Sequence, residues 1–156
     1  MARSPSPSSQ QKFILDMIKE WSNRLKLSEW KIIVLFAREQ DDWEIGGHMV
    51  GLGSSLFFRF GDPGDGTTSY RTKLAFRERY DPEDWEEYES FKHMAETTVI
   101  HELLHVKTAK AFHAREFLVR EGLIEELTTG RCIQEEEWLV DNLARTMYDL
   151  KYNGPT

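Results

Sequence analysis

The sequence predicts an α+β fold, with one helix, a small three-stranded sheet and then helices through the rest of the chain. Three observations predict it. Apolar residues recur at helical spacing near the amino terminus, and β-branched and aromatic runs fill much of the stretch between residues 30 and 79. Beyond residue 90 the chain keeps a helical period and meets no proline until residue 155. A chain of 156 residues is the size of one domain, and such a domain buries about two-thirds of the surface that its unfolded form exposes.

The elements follow in order. The Ser- and Pro-rich opening lacks the apolar centre of a signal peptide. Residues 1–10 therefore read as a disordered lead-in, 11–152 as the single domain and 153–156 as a tail. Phe13, Ile14, Met17, Ile18, Trp21 and Leu25 fall on one face of a helix predicted over residues 9–26. The segment Trp30–Ala37 is β-branched and aromatic, as strands are. A second extended region is interrupted by glycines at 46, 47, 51 and 53, with its strand at 54–60. These glycines match no phosphate-loop spacing and read as turns and bulges. Residues 61–66 are a turn cluster. From 69 to 79, Tyr70, Thr72, Leu74, Phe76 and Glu78 alternate with charged or small residues, which predicts a third strand with one solvated face. Asp81 and Pro82 are the residue types of a helix N-cap and first position. After a long helix from about Phe91 come a helical piece over 114–127, a break at Thr128, Thr129 and Gly130, and a last helix over 135–151. In that helix Leu139, Val140, Leu143, Ala144, Met147 and Leu150 predict one broad buried face.

The chemistry sits in the long helix. Residues 101 to 105, His-Glu-Leu-Leu-His, spell H-E-x-x-H, and Met94, Thr98, Leu103 and Val106 mark the surrounding segment as core-facing. Helical residues four apart share a face, so His101 and His105 can aim imidazole nitrogens at one metal ion. Glu102 projects about 100° further round, placed to hold a water beside that ion without being a ligand. Zinc lowers the pKa of a bound water from about 16 towards 7, and a neighbouring carboxylate can then take its proton during attack on a carbonyl. Two histidines buried by chance would need separate partners, whereas one ion satisfies both.

Catalytic zinc takes a third protein ligand. Positions 108 and 111 are Thr and Ala, so no third histidine stands six residues beyond His105, and His113 falls on or beyond a turn. The better source is the run Glu135, Glu136, Glu137 at the start of the last predicted helix. Negative charge suits a helix N-terminus, which accounts for Glu135. Periodicity does not separate Glu136 from Glu137. What favours Glu137 is Asp141 one turn on, since a carboxylate that orients a ligating histidine accompanies such sites. Cys132 could offer a thiolate but reads as a small buried residue near a helix start. An additional donor to a developing oxyanion could come from His93, His113, Tyr148 or Arg145, each also ordinary packing or ion-pair material, and His48 reads as a loop residue.

The two motifs together, His101-Glu102-x-x-His105 and Glu137-x-x-Val140-Asp141-x-Leu143-Ala144, resemble the zincin metallopeptidases of the ImmA/IrrE group. The likeness is closest to the small HExxH metallopeptidases encoded by bacteriophages and prophages. In that group a Glu opens a helix as the third zinc ligand and is followed by a pattern like E-x-x-A-N-x-F-A. Matched position by position, the ligand falls on Glu137, Val140 and Ala144 take the small or apolar places, and Leu143 takes the Phe. Asp141 stands where Asn is usual, and an Asp at that spacing is also found in the thermolysin-like gluzincins. The resemblance covers most of the chain in element order, while only these motifs are specific. It implies a zincin-like fold, a zinc ion on His101, His105 and Glu137 with Glu102 as catalytic base, and a protein or peptide substrate. It also implies that the strand before the active helix, residues 70–79, borders the substrate cleft and can take an extended peptide as a further strand.

Composition bounds the alternatives. A net charge of -7 argues against a nucleic-acid surface, for which a basic stripe is expected. No apolar run approaches the roughly 18 residues of a membrane span. A single cysteine excludes an internal disulfide and fits a reducing cytoplasm, that of the host if the chain is phage-encoded. A zinc-binding regulatory or interaction module is the second class of function. Structural zinc sites are closed by four ligands and prefer thiolates, which one cysteine supplies poorly. A hydrolase of non-peptide amides or esters would share the same residues.

Overall fold

The computed structural model describes residues 5–39, 44–45, 48–59, 70–120, 122 and 126–154. The first helix, α1 (Pro7–Arg24), begins inside the segment read as a lead-in. Ser6 caps it by accepting from the Ser9 N–H, and Pro7 has the fixed φ suited to a first helical position. Gln10 ties this end down, since its amide accepts from the Tyr80 N–H at 2.7 Å and donates to the Tyr80 carbonyl at 2.9 Å. As its spacing predicts, Ile14, Ile18 and Trp21 are buried, with Phe13, Met17 and Leu25 packed beside them.

Three strands form the main sheet, β1 (Trp30–Ala37), β4 (Gly53–Arg59) and β5 (Tyr70–Arg77). Between β1 and β4 lies a small antiparallel pair, β2 (Glu44–Ile45) and β3 (His48–Met49). The order is β1-β5-β4, with β1 parallel to β5 from Trp30 opposite Tyr70 to Ala37 opposite Arg77, and β4 antiparallel to β5. This corrects one expectation. The strand before the H-E-x-x-H helix, β5, has both ladders occupied and offers no edge to a substrate, whereas β4 is, among the described residues, an edge strand. Thr72, Leu74 and Phe76 are buried as the alternation predicts. The opposite face is not simply solvated, because Ala75 is buried in a second small cluster with Ala37 and Val50. The turn cluster at 61–66 and the glycines at 46 and 47 lie outside the described residues.

Asp81 precedes a short 3-10 helix, Pro82–Trp85, whose Asp84 carboxylate accepts from the Asp81 N–H at 2.7 Å. Two long helices follow, α2 (Phe91–Arg120) and α3 (Glu126–Asn153). Their bounds correct the predicted order. Residues 114–120 continue α2, so His113 lies within that helix, and α3 runs through Gly130 without a break. A glycine inside a helix costs about 1 kcal/mol relative to alanine, an amount that a long helix absorbs. The broad buried face expected of α3 is also narrower than predicted. Val140 and Ala144 are buried, Met147 is half-buried, and Leu139, Leu143 and Leu150 are exposed. Small side chains one turn apart let α3 lie close on α2, and that contact covers a stripe rather than a face.

The core is built around α2, whose Met94, Ala95, Val99, Ile100, Leu103 and Val106 are buried between α1, the sheet and α3. Two glutamates of this helix, Glu96 and Glu102, are sunk among them. Glu96, 1% exposed, accepts from the Trp21 indole N–H at 2.8 Å, from Lys151 Nζ at 2.5 Å and from the Tyr152 hydroxyl. Lys151 also reaches Glu20 at 2.6 Å, so all three helices are joined at this point. Among the described residues no helix is long and apolar enough to cross a membrane.

Candidate metal centre

The four-residue spacing on α2 has the predicted effect. His101 Nε2 and His105 Nε2 stand 3.2 Å apart on one face. From α3, Glu137 reaches both, with Oε1 at 2.8 Å from His105 Nε2 and Oε2 at 3.4 Å from His101 Nε2. One ligand atom from each of His101, His105 and Glu137 therefore lies within 4.8 Å of the others, and the three together could hold one metal ion. Asp141, one turn beyond Glu137, sits 3.8 Å from the outer nitrogen of His101, Nδ1.

The neighbouring carboxylates are sorted by geometry. The glutamate run does not open a helix, because α3 starts nine residues before Glu135. Glu135 is exposed to solvent. Glu136 turns away from the converging atoms, where the Thr108 hydroxyl donates to it at 2.7 Å, and its side chain is 17% exposed against 54% for Glu137. Glu137, and not Glu136, is thus the one that converges with the two histidines, and the hydrogen bond that separates the two glutamates is one that no periodicity encodes.

Glu102 is 6% exposed, and its Oε2 accepts a 2.5 Å hydrogen bond from the Ser55 hydroxyl on β4. Burial pushes its carboxyl above the usual carboxylate range, the Ser55 bond and His101 oppose that shift, and the nearby Glu137 charge adds to it. The contact depends on the strand's path. A bulge at Leu56, where Ser55 pairs with Leu74 but Phe57 with Lys73, bends β4 beside the site. Two residues before Ser55, Gly53 lets the backbone approach α2. A Cβ there would lie 2.8 Å from Thr98 Cγ2, 3.2 Å from Phe76 Cε1 and 3.3 Å from Glu102 Cγ. Gly53→Ala is expected to cost about 1–3 kcal/mol, the usual effect of overpacking. Urea unfolding checks this, and an unchanged midpoint would mean that the strand has room to shift.

The segment before β4 is fixed from the other side. The Tyr80 hydroxyl donates to the Leu52 carbonyl, and Arg77 Nε donates to the Val50 carbonyl at 3.0 Å while its guanidinium pairs with Asp84 at 2.6 Å. Leu52, Gly53 and Tyr88 line a cavity of about 260 Å3 together with His101, Glu102 and Asp141. Sequence reasoning missed Ser55 and Tyr88, since neither belongs to a motif or to a periodic stripe.

The proposed oxyanion donors separate as well. His93 stacks on Tyr148 at 4.2 Å, and Tyr148 packs on Tyr152, so these two serve packing. Arg145 pairs with Asp141 at 3.3 Å and approaches the Tyr88 hydroxyl at 3.4 Å, which links it to the rim of the cavity. The side chains of His48, His113 and Cys132 lie outside the described residues. Comparison with known proteins finds no matching family model, no matching curated protein and no matching solved structure.

Proposed function

We propose that the chain is a zinc-dependent metallopeptidase of the gluzincin type, acting on a protein or peptide inside the cell. The observation that carries this reading is the convergence of His101, His105 and Glu137 beside the buried carboxylate of Glu102. The donor set fits zinc, which binds imidazole nitrogens and carboxylate oxygens. Two ligands at about 2.0–2.1 Å from a tetrahedral ion lie roughly 3.4 Å apart. The two histidine nitrogens, 3.2 Å apart, are close to such an edge, and the carboxylate oxygens of Glu137 lie at similar distances, Oε1 at 2.8 Å from His105 Nε2 and Oε2 at 3.4 Å from His101 Nε2.

When bound, zinc supplies a Lewis acid that polarises a carbonyl and makes water nucleophilic at neutral pH. Glu102 is the base that takes the proton of the attacking water and passes it to the leaving amine. Ser55 holds that carboxylate in place from β4. Asp141 faces the outer nitrogen of His101 and favours the tautomer that leaves Nε2 free to ligate. An extended substrate can add to the edge of β4, the strand that packs against α2 and carries Ser55.

Zinc stoichiometry tests the reading. Elemental mass spectrometry on untagged protein is expected to give about one zinc per chain, with affinity lowered at least 10–100-fold in Glu137→Ala. Wild-type protein that takes up no zinc after reconstitution would end the proposal.

A further inference from the structure

Glu136 and Glu137 are adjacent on α3, so their side chains leave the helix about 100° apart. His105 lies between them. Its Nε2 is 2.8 Å from Glu137 Oε1, and its Nδ1 is 3.7 Å from Glu136 Oε1. The two carboxylates straddle one imidazole ring. Glu136 does not rest there through solvent-exposed chance, because Thr108, three residues after His105 on the same helix, donates its hydroxyl to the same Oε1 at 2.7 Å. The carboxylate is mostly buried, with 17% of its side chain exposed.

Resting on the metallopeptidase reading above, we infer that Glu136 is a positioning residue for His105, held in place by Thr108, and that it raises the metal affinity of the site. An imidazole that ligates through Nε2 carries its proton on Nδ1. That N–H gains positive character when the ring donates to a cation, and a carboxylate facing it stabilises the charged arrangement and the ring's orientation. At 3.7 Å the contact is a charge–dipole interaction rather than a hydrogen bond. Asp141 stands in the same relation to His101 at 3.8 Å. Each histidine therefore has its own outer carboxylate, both supplied by α3, which also supplies Glu137. The docking of one helix brings in the third ligand and orients the first two.

The test compares zinc affinity, by competition with a chromophoric chelator, in wild type, Glu136→Ala, Glu136→Gln and Thr108→Val. The Nδ1–H resonance of His105 in the zinc-loaded protein is followed by NMR. Glu136→Ala is expected to lose 10–100-fold in affinity and to shift that resonance upfield. Glu136→Gln keeps an acceptor without the charge and is expected to recover part of the loss, while Thr108→Val falls between wild type and Glu136→Ala. Glu136→Ala with wild-type affinity and an unmoved resonance would overturn the inference while leaving the metallopeptidase reading intact, provided that Glu137→Ala still loses zinc. No zinc binding by wild type would overturn both.

Discussion

Glu102→Gln is expected to bind zinc as wild type does and to lose about 10²–10⁴-fold in kcat, the range for removal of a general base. That factor corresponds to about 3–5 kcal/mol of transition-state stabilisation. The expectation follows from where the carboxylate sits. Glu102 lies next to a ligand-type histidine yet is not one of the converging atoms, and its contact is the Ser55 hydroxyl on the neighbouring strand. A glutamine oxygen can keep that hydrogen bond, so the substitution removes the proton acceptor and leaves the packing of α2 against β4 in place. The measurements are zinc content and steady-state hydrolysis of a quenched-fluorescent peptide library. A variant that hydrolyses the library as fast as wild type would exclude Glu102 as the base.

The largest expected loss of stability is at Glu96. Its carboxylate is the common acceptor for Trp21, Lys151 and Tyr152, one from α1 and two from α3. Glu96→Ala leaves the buried Trp21 N–H without its acceptor and takes from Lys151 one of its two carboxylate partners, Glu20 remaining. Breaking a buried pair by removing one partner costs about 3–5 kcal/mol, and the partly exposed Glu20 compensates towards the lower end. At about 2–4 °C per kcal/mol for a chain of this size, the melting temperature falls by about 6–12 °C. Scanning calorimetry checks it, and a variant that melts with wild type would show that the three helices hold together without this residue. Burial opposes the charge on Lys151, but the hydrogen bonds that it donates to Glu20 and Glu96 prevail and raise its pKa. Folded lysine then holds its proton more tightly than unfolded lysine. The resulting stability is complete below a free lysine's pKa of about 10.4 and is lost as pH rises through the folded value.

What the sequence makes legible depends on how local the determining physics is. The helical face of α1, the strand Trp30–Ala37 and the pairing of His101 with His105 rest on residues within a turn or two of one another, and all three appear as expected. Glu137 was reached through Asp141, four residues away on the same helix, and the structure brings both to the histidines. What escaped is non-local. The place of β5 in the middle of the sheet is set by its pairing with β1, forty residues earlier, and no pattern within β5 records that partner. Ser55 meets Glu102 across 47 residues, and Gln10 meets Tyr80 across 70. The helix boundaries near Gly130 escaped for a different reason, since a local signal for a break was overridden by a long helix docked on its neighbour.

The position of β5 also sets an order of events in folding. In the sheet β1 and β4 each pair with β5 and not with each other, so neither has a partner in this sheet until Tyr70–Arg77 has been made. The parallel match with β1 closes a long stretch of chain before any contact rewards it, which is the kind of step that slows folding. A nascent chain that has passed Arg59 but not reached Tyr70 therefore carries two strand segments with open hydrogen-bonding edges, a template for association between copies. Arrival of β5 closes one edge of each at once. The same eight residues that cannot serve as a substrate edge in the finished protein are the ones that reduce the open edge these two strands expose during synthesis.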